Sequence, residues 1–283
     1  MSYTPNAKGH FDPVHAAHAI EQAVFVLHFD RPLEQSKLNV VIGKVNEFKS
    51  DFPGSGLIQG GFSVAFGSPV MPMPSISQPM PLAGVVMHRS APDGSIENEL
   101  RVEHASVTFR TTRYTRWAAM WELAKKYCDA VIQTYLDNGS KISSISINFV
   151  DKFVWTGGIQ DFDLSLLLSR DSKYIADYVF SAEDLWHIHT GAFLRPDSKT
   201  KRLMNINVDC LDEVNSGDIR RAVLITTVLT DIFNQAGFEE IAVANDDVMN
   251  FISTHVESLH AFDKEILGKI LVESIAKRIA LIG

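Results

Sequence analysis

The sequence has little cysteine and no long hydrophobic run, and each shortage excludes a class of protein. Its two cysteines, Cys128 and Cys210, are too few for a disulfide framework and too far apart for a zinc knuckle. Both lie in apolar patterns, so we expect free buried thiols and a reducing, cytoplasmic compartment. No stretch of about 18 uninterrupted apolar residues is present, so we expect no transmembrane helix. Residues 1–18 also lack the basic start and apolar core of a signal peptide.

The chain also lacks the usual signatures of catalysis and nucleotide binding. It contains no G-x-S-x-G, no P-loop and no Rossmann glycine pattern, although GSGLIQGG at 54–61 is rich in glycine. The net charge of −8 argues against non-specific binding to duplex nucleic acid, which depends on clustered Lys and Arg. We therefore predict no catalytic residue, no cofactor and no membrane contact, and we lean against an enzyme without excluding one.

What the sequence does contain is a pattern of alternating strands and two long helices. Apolar residues recur at three-four spacing from Trp117 to Tyr135, which predicts a helix capped by Thr115, and a second long helix is predicted over 246–282. Short turns join the β-rich segments, and short turns favour antiparallel pairing. We predict an α+β fold, an antiparallel sheet packed by two or three long helices, in two coupled halves, 1–157 and 158–283.

The boundaries of the β-rich segments are predicted from alternation and turn residues. Residues 1–13 are expected to be a frayed arm, and Gly157-Gly158 marks the boundary between the halves. The expected strands span residues 23–29, 58–66, 83–89, 99–110, 142–155, 186–195, 202–211 and 220–233.

One block resembles a known family. It combines an aromatic helix start at Tyr114 and Trp117 with the strand sequence SISINFVDKF, and the C-terminal helix carries Leu259-His260 and Phe262. In these features and in layout the chain resembles a sporadically distributed, uncharacterised bacterial protein family of unknown function. Some members of that family sit among bacterial mobile or defence genes, so the resemblance implies a regulatory or antagonistic protein partner.

A basic and aromatic cluster lies where the predicted strand 99–110 turns into the aromatic helix. Arg110, Arg113 and Arg116 alternate with Tyr114, and helix N-termini attract anions, so the cluster is a candidate site for a phosphate or a single-stranded nucleic acid. The competing interpretation is structural: the arginines pair with carboxylates, for which the sequence offers Glu99, Glu103 and Glu122.

Two histidines of WHIHTG are the sharpest local candidates for a metal site. Residues two apart on a strand share a face, so His187 and His189 could meet one metal ion, with Asp209 or His104 as a third ligand. We favour the alternative, in which both histidines lie on the solvated face of a half-buried strand. His255, on the apolar stripe of the last helix, is expected to be a hydrogen-bonded core residue.

The segment 68–82 is the compositional outlier, with five of the eleven prolines and three methionines. Proline removes backbone donors, so the segment is predicted to be an extended loop. As an interaction loop it would present four apolar side chains: Met71, Met73, Ile76 and Met80.

These observations leave three functions open. The first is a non-enzymatic protein–protein interaction, with an antitoxin-like, immunity-like or defence-accessory role and a protein partner. The second is a protein or enzyme that binds a small molecule or a metal ion in a pocket between the halves, where His187, His189 and the arginines would converge. The third is nucleic-acid binding through the arginines. A homodimer through the terminal helix is also open.

Overall fold

The structure, a computed structural model, describes residues 9–60, 81–215, 218–233 and 245–281. Its strands form a single antiparallel sheet of ten, and its helices pack on that sheet, which confirms the predicted α+β class. The strands are β1 (Phe11–Pro13), β2 (Ile20–Phe29), β3 (Gly54–Gln59), β4 (Leu82–Ser90), β5 (Ile96–Glu103), β6 (Ser106–Thr111), β7 (Ile142–Trp155), β8 (Trp186–Leu194), β9 (Thr200–Asn215) and β10 (Asp218–Phe233). The helices are α1 (Gln35–Val45), α2 (Trp117–Asp137), α3 (Asn245–Ile270) and α4 (Glu273–Arg278).

The strand order contains an internal repeat. Across the sheet the strands run β3-β4-β5-β6-β2-β7-β10-β9-β8, and β1 pairs with β7 beside this path. Two successive stretches of the chain, 20–137 and 142–270, each begin with a strand, β2 or β7, that pairs with the last strand of the meander following it, and each ends in a long helix. The two first strands pair with each other at the centre of the sheet, with Phe25 opposite Ile147. The repeat is one of topology, and β7 joins the two meanders because it pairs with both β2 and β10.

One face of the sheet holds the core because its strands alternate apolar and polar residues. Ile145, Ile147, Phe149 and Phe153 of β7 are buried, and α3 contacts this strand and β10 on the same side. The intervening residues, such as Asn148 and Val150, are half-exposed. We call the first side the helix face and the second the open face, since no helix of the described chain covers it.

Two segments near the sheet differ from the prediction. The segment 99–110, expected to be one strand, is two, because the chain reverses at His104-Ala105 between β5 and β6. The hydroxyl of Tyr135 donates to the carbonyl of Glu103 and helps to hold this reversal. Residues 11–13 are not a frayed arm but strand β1, because the buried ring of Phe11 packs against Trp155.

The predicted terminal helix is broken and the predicted cap of α2 is displaced. Helix α3 ends at Ile270, whose carbonyl accepts from the backbone of Ser169, and Val272 donates to a carbonyl of the same neighbouring segment before α4 begins. Arg116, rather than Thr115, is the N-cap residue of α2, and its side chain makes no capping hydrogen bond. Strand β3 begins at Gly54 rather than at 58. The interaction-loop residues Met71, Met73, Ile76 and Met80 lie outside the described residues.

Both cysteines are free and buried, as predicted. Burial raises the pKa of the Cys128 thiol to about 12 and that of Cys210 to about 11, so neither is a reactive thiolate at neutral pH. No helix within the described ranges has both the length and the hydrophobicity needed to cross a membrane.

Candidate functional site

A cavity of about 160 Å³ lies between the helix layer and the centre of the sheet. Its walls come from the start of α2, the second half of α3, the middle of β7, the segment before β2 and the residues after α4. Helix α2 follows the first meander, whereas β7 and α3 belong to the second, so the cavity lies where the two meet. For scale, an engineered cavity of about 150 Å³ binds benzene.

Two buried carboxyl groups form the floor of this cavity. Asp151 occupies an inward position of β7, between Phe149 and Phe153, and is only 2% exposed. No described residue forms a hydrogen bond with its side chain. Asp263 of α3 is 5% exposed and accepts a hydrogen bond from the hydroxyl of Thr227 on β10. Asp151 is thus a buried acid whose carboxyl meets the cavity instead of a partner.

Burial shifts both carboxyl groups towards their neutral forms. It raises the pKa of Asp263 to about 7, against the opposing effect of the Thr227 hydrogen bond. It raises the pKa of Asp151 well above the usual range, and the charge of Asp263 raises it further. At neutral pH Asp263 is therefore close to its midpoint of ionisation, and the two buried acids compete for protons because each disfavours the charge of the other.

Aromatic rings form the walls. Trp117 stacks on His260 with ring centroids 4.1 Å apart, and the edge of Phe149 meets Trp117 at 6.1 Å. The indole Nε1 of Trp117 donates to Glu257 at 2.9 Å, which fixes the ring. Burial, together with the nearby charge of Lys264, lowers the pKa of His260 to about 4, so this ring is neutral at pH 7. Burial likewise raises the pKa of Tyr114, so its hydroxyl keeps its proton.

Cationic and ionisable side chains line the outer part of the cavity. Arg116 and Lys264 are both exposed, and Arg116 donates from Nη1 to the carbonyl of Ala17 at 3.2 Å. His18 is half-buried, and its Nδ1 has no hydrogen-bond partner in the described structure. Burial and the neighbouring His15 lower the pKa of His18.

The structure divides the arginine cluster predicted from the sequence. Arg110 lies on the open face, where its Nε donates to Gln22 at 2.6 Å, and Arg113 forms an ion pair with Glu97 at 3.2 Å. Only Arg116 and Tyr114 reach the cavity, on the opposite side of the sheet. The carboxylates expected as partners, Glu99, Glu103 and Glu122, take no part in these contacts.

His187 and His189 are exposed on β8, on either side of the buried Ile188. Asp209 is opposite His187 across the β8–β9 pair, and Asn207 is opposite His189. The other suggested ligand, His104, bonds to the carbonyls of Leu33 and Leu82. In the described part of the chain no group of three or more His, Cys, Asp or Glu residues is placed to hold a metal ion. Neither histidine lines the cavity.

A third buried acid, Asp231, provides a contrast with the cavity floor. Asp231 of β10 is fully buried and accepts two hydrogen bonds from Arg202, at 2.7 and 2.9 Å. The Nδ1 of His255 lies 2.7 Å from Oδ2, which also accepts from Arg202, so His255 is the hydrogen-bonded residue expected from the sequence. These contacts hold the pKa of Asp231 below its usual range despite burial, so its charge is balanced within the protein.

Sequence reasoning missed the two acids of the floor, although a signal for each was present. In the strand SISINFVDKFVW every second residue from Ile145 to Trp155 is apolar except Asp151, which therefore occupies a core position. Asp263 follows Leu259 by four residues and precedes Ile266 by three on the buried stripe of α3. A charged residue at a core position indicates either a buried ion pair or a site.

The fold and the cavity define an α+β protein with one ten-stranded antiparallel sheet and an acid-floored pocket at the join of two meanders. No model of a known protein family matches the chain, and no curated protein matches it.

Proposed function

We propose that the protein binds a small molecule in the cavity between its two halves. The observation that carries the proposal is the carboxyl of Asp151, which is buried, has no described hydrogen-bond partner and lines the cavity. No described donor of the protein reaches this carboxyl, so a ligand in the cavity can supply the hydrogen bond that the protein does not. This is the second of the functions left open by the sequence.

The contrast with Asp231 supports this proposal. A carboxylate that serves only the fold is surrounded by donors, as Arg202 and His255 surround Asp231. Asp151 lies on the same face of the same sheet, next to aromatic walls and a space large enough for a small organic molecule.

A thermal-shift screen of small metabolites against three proteins tests the proposal. The proteins are the wild type, Asp151→Asn and the matched control Asp209→Asn, which changes the same residue type on the open face. We expect at least one compound to raise the Tm of the wild type and the control but not that of Asp151→Asn, because a bound ligand stabilises the native state. The proposal is wrong if no compound raises the Tm, or if every shift persists in Asp151→Asn.

A second candidate function is the protein–protein interaction favoured from the sequence, in a regulatory, immunity-like or defence-accessory role. The open face supports it, because that face of the sheet is uncovered in the described structure and edge strand β8 exposes Phe193. The two buried thiols are consistent with a cytoplasmic setting. Co-expression with the product of the adjacent gene tests this role: a stoichiometric complex would support it, and separate elution would count against it.

Nucleic-acid binding remains the least favoured candidate. Arg110 and Arg113 are engaged by Gln22 and Glu97, and the net charge of the chain is −8. Affinity for single strands that falls steeply with added salt would support this role, whereas no retention at low salt would exclude it.

A further inference from the structure

The lining of the cavity combines buried acids with exposed cations. Its floor carries Asp151 and Asp263, both almost completely buried, while Arg116 and Lys264 line it as exposed residues. By their burial, the acids form the deep part of the lining and the cations form its outer part, which we call the mouth. Between them lie the rings of Tyr114, Trp117 and Phe149 and aliphatic side chains.

We propose that the ligand is a small zwitterion, an aminocarboxylate, with its ammonium group at Asp151 and Asp263 and its carboxylate at Arg116 and Lys264. This inference rests on the proposed function and assigns the class of ligand. An ammonium group supplies three donors and a positive charge to a floor that has carboxyl oxygens without donors. It also meets aromatic faces, which attract cations.

The cations at the mouth of the cavity would bind the carboxylate of the ligand. Arg116 uses Nη1 for the carbonyl of Ala17, and its remaining donors can bind a carboxylate in the forked geometry that guanidinium favours. A simple amine would leave its apolar end beside two cations, and a simple acid would place its apolar end on the carboxyl floor. A zwitterion satisfies both ends, and the volume of about 160 Å³ limits it to the size of a single amino acid.

The test uses two isomeric probes that differ in the separation of their charges, L-leucine and 6-aminohexanoate. Each is compared with its analogue lacking the amine, 4-methylpentanoate or hexanoate, and with its analogue lacking the carboxylate, 3-methylbutylamine or pentylamine. Binding is measured by calorimetry on the full chain. The variants are Asp151→Asn, Asp263→Asn and Arg116→Gln. The matched control is Arg113→Gln, which changes a neighbouring arginine that pairs with Glu97 outside the cavity.

We expect one of the two zwitterions to bind, and each missing charge to weaken binding by roughly 10–100-fold, as for charge-assisted hydrogen bonds. The two Asn variants should bind both the zwitterion and the amine more weakly than the wild type does. Arg116→Gln should bind only the ligands with a carboxylate more weakly, and Arg113→Gln should bind every ligand like the wild type. A circular dichroism melt confirms that each variant is folded, and the Asn variants keep the size of the side chain.

Three results would overturn the assignment. In the first, an acid without the amine binds as tightly as its zwitterion. In the second, an amine binds as tightly as its zwitterion and Arg116→Gln has no effect. In the third, neither zwitterion binds. In each case the metabolite screen tests the proposed function separately. If a compound stabilises the wild type but not Asp151→Asn, the cavity is still a binding site and only the assigned class of ligand is wrong.

Discussion

Replacing Asp263 by Asn should change how the stability of the protein depends on pH. Burial raises the pKa of Asp263 from 3.8 to about 7, so the native state holds a proton that the unfolded chain releases. A group with a raised native pKa contributes stability that is fully present below its unfolded pKa and is lost as the pH rises through its native pKa. The Asn side chain is neutral at every pH and can still accept the hydrogen bond from Thr227.

The size of the change in stability follows from the shift in the pKa of Asp263. A change from 3.8 to about 7 is roughly three pKa units, and each unit corresponds to about 1.36 kcal/mol. The ionised Asp263 therefore costs the native state about 4 kcal/mol above neutral pH, to the order of magnitude. The charge of Asp263 also helps to raise the pKa of Asp151. Replacing Asp263 by Asn removes that contribution, which further favours the stability of the variant as the pH rises. The other titratable or charged groups that line the cavity are common to both proteins: His18, Tyr114, Arg116, His260 and Lys264.

Urea unfolding from about pH 4 to about pH 8 measures the difference in stability between wild type and variant. We expect similar free energies of unfolding near pH 4 and a growing advantage for Asp263→Asn up to about pH 7, where the difference levels off. Asp93→Asn is the control, because Asp93 is exposed in a turn and its pKa is lowered by hydrogen bonds from Ser95. That variant should be no more stable than the wild type at any pH.

Parallel curves for the wild type and Asp263→Asn would refute the reasoning, because they would mean that Asp263 titrates normally in the native state. A variant that is less stable at alkaline pH would refute it more strongly. Such a result would imply that the ionised carboxylate is stabilised by a partner rather than penalised by burial.

Three further predictions concern other parts of the fold. Arg202→Leu should lower the free energy of unfolding by about 3–5 kcal/mol in urea titrations, because it leaves the buried Asp231 without its bidentate partner; a loss below about 1 kcal/mol would contradict this. Phe11→Ala should cost about 3–5 kcal/mol in the same assay if β1 is docked as described, whereas a frayed arm would lose almost nothing. A thiol reagent should modify Cys128 and Cys210 only as fast as the protein unfolds, and rapid labelling of either in the native state would contradict their burial.

The regular elements were predictable because their signals are local. The apolar stripe of α2 and the alternation of β7 define their elements without reference to the rest of the chain. The division of 99–110 was not predictable in this way, because the turn at His104-Ala105 contains neither glycine nor proline. It is held by contacts distant in sequence, such as those of the His104 ring with the carbonyls of Leu33 and Leu82.

The break between α3 and α4 has the same physical origin. Nothing in the sequence around Leu271 ends a helix, but backbone hydrogen bonds to residues 167–169 replace the helical ones. Of the candidate site, Tyr114 and Arg116 were anticipated as ligand-binding residues and do line the cavity. Arg110 and Arg113 were grouped with them because sequence proximity does not distinguish the two faces of a strand and its following turn.

The pairing of β2 with β7 has a consequence for the exposure of sheet edges and thus for aggregation. Each meander alone would end in its own first strand, with a full row of unpaired backbone groups on one side. Joined in one chain, the two meanders cover each other's bare edge, and the main strand path of the described sheet ends at β3 and β8, on opposite sides. A fragment that ended after α2 would expose β2 as a template for foreign strands. The two halves therefore act as each other's protection against aggregation.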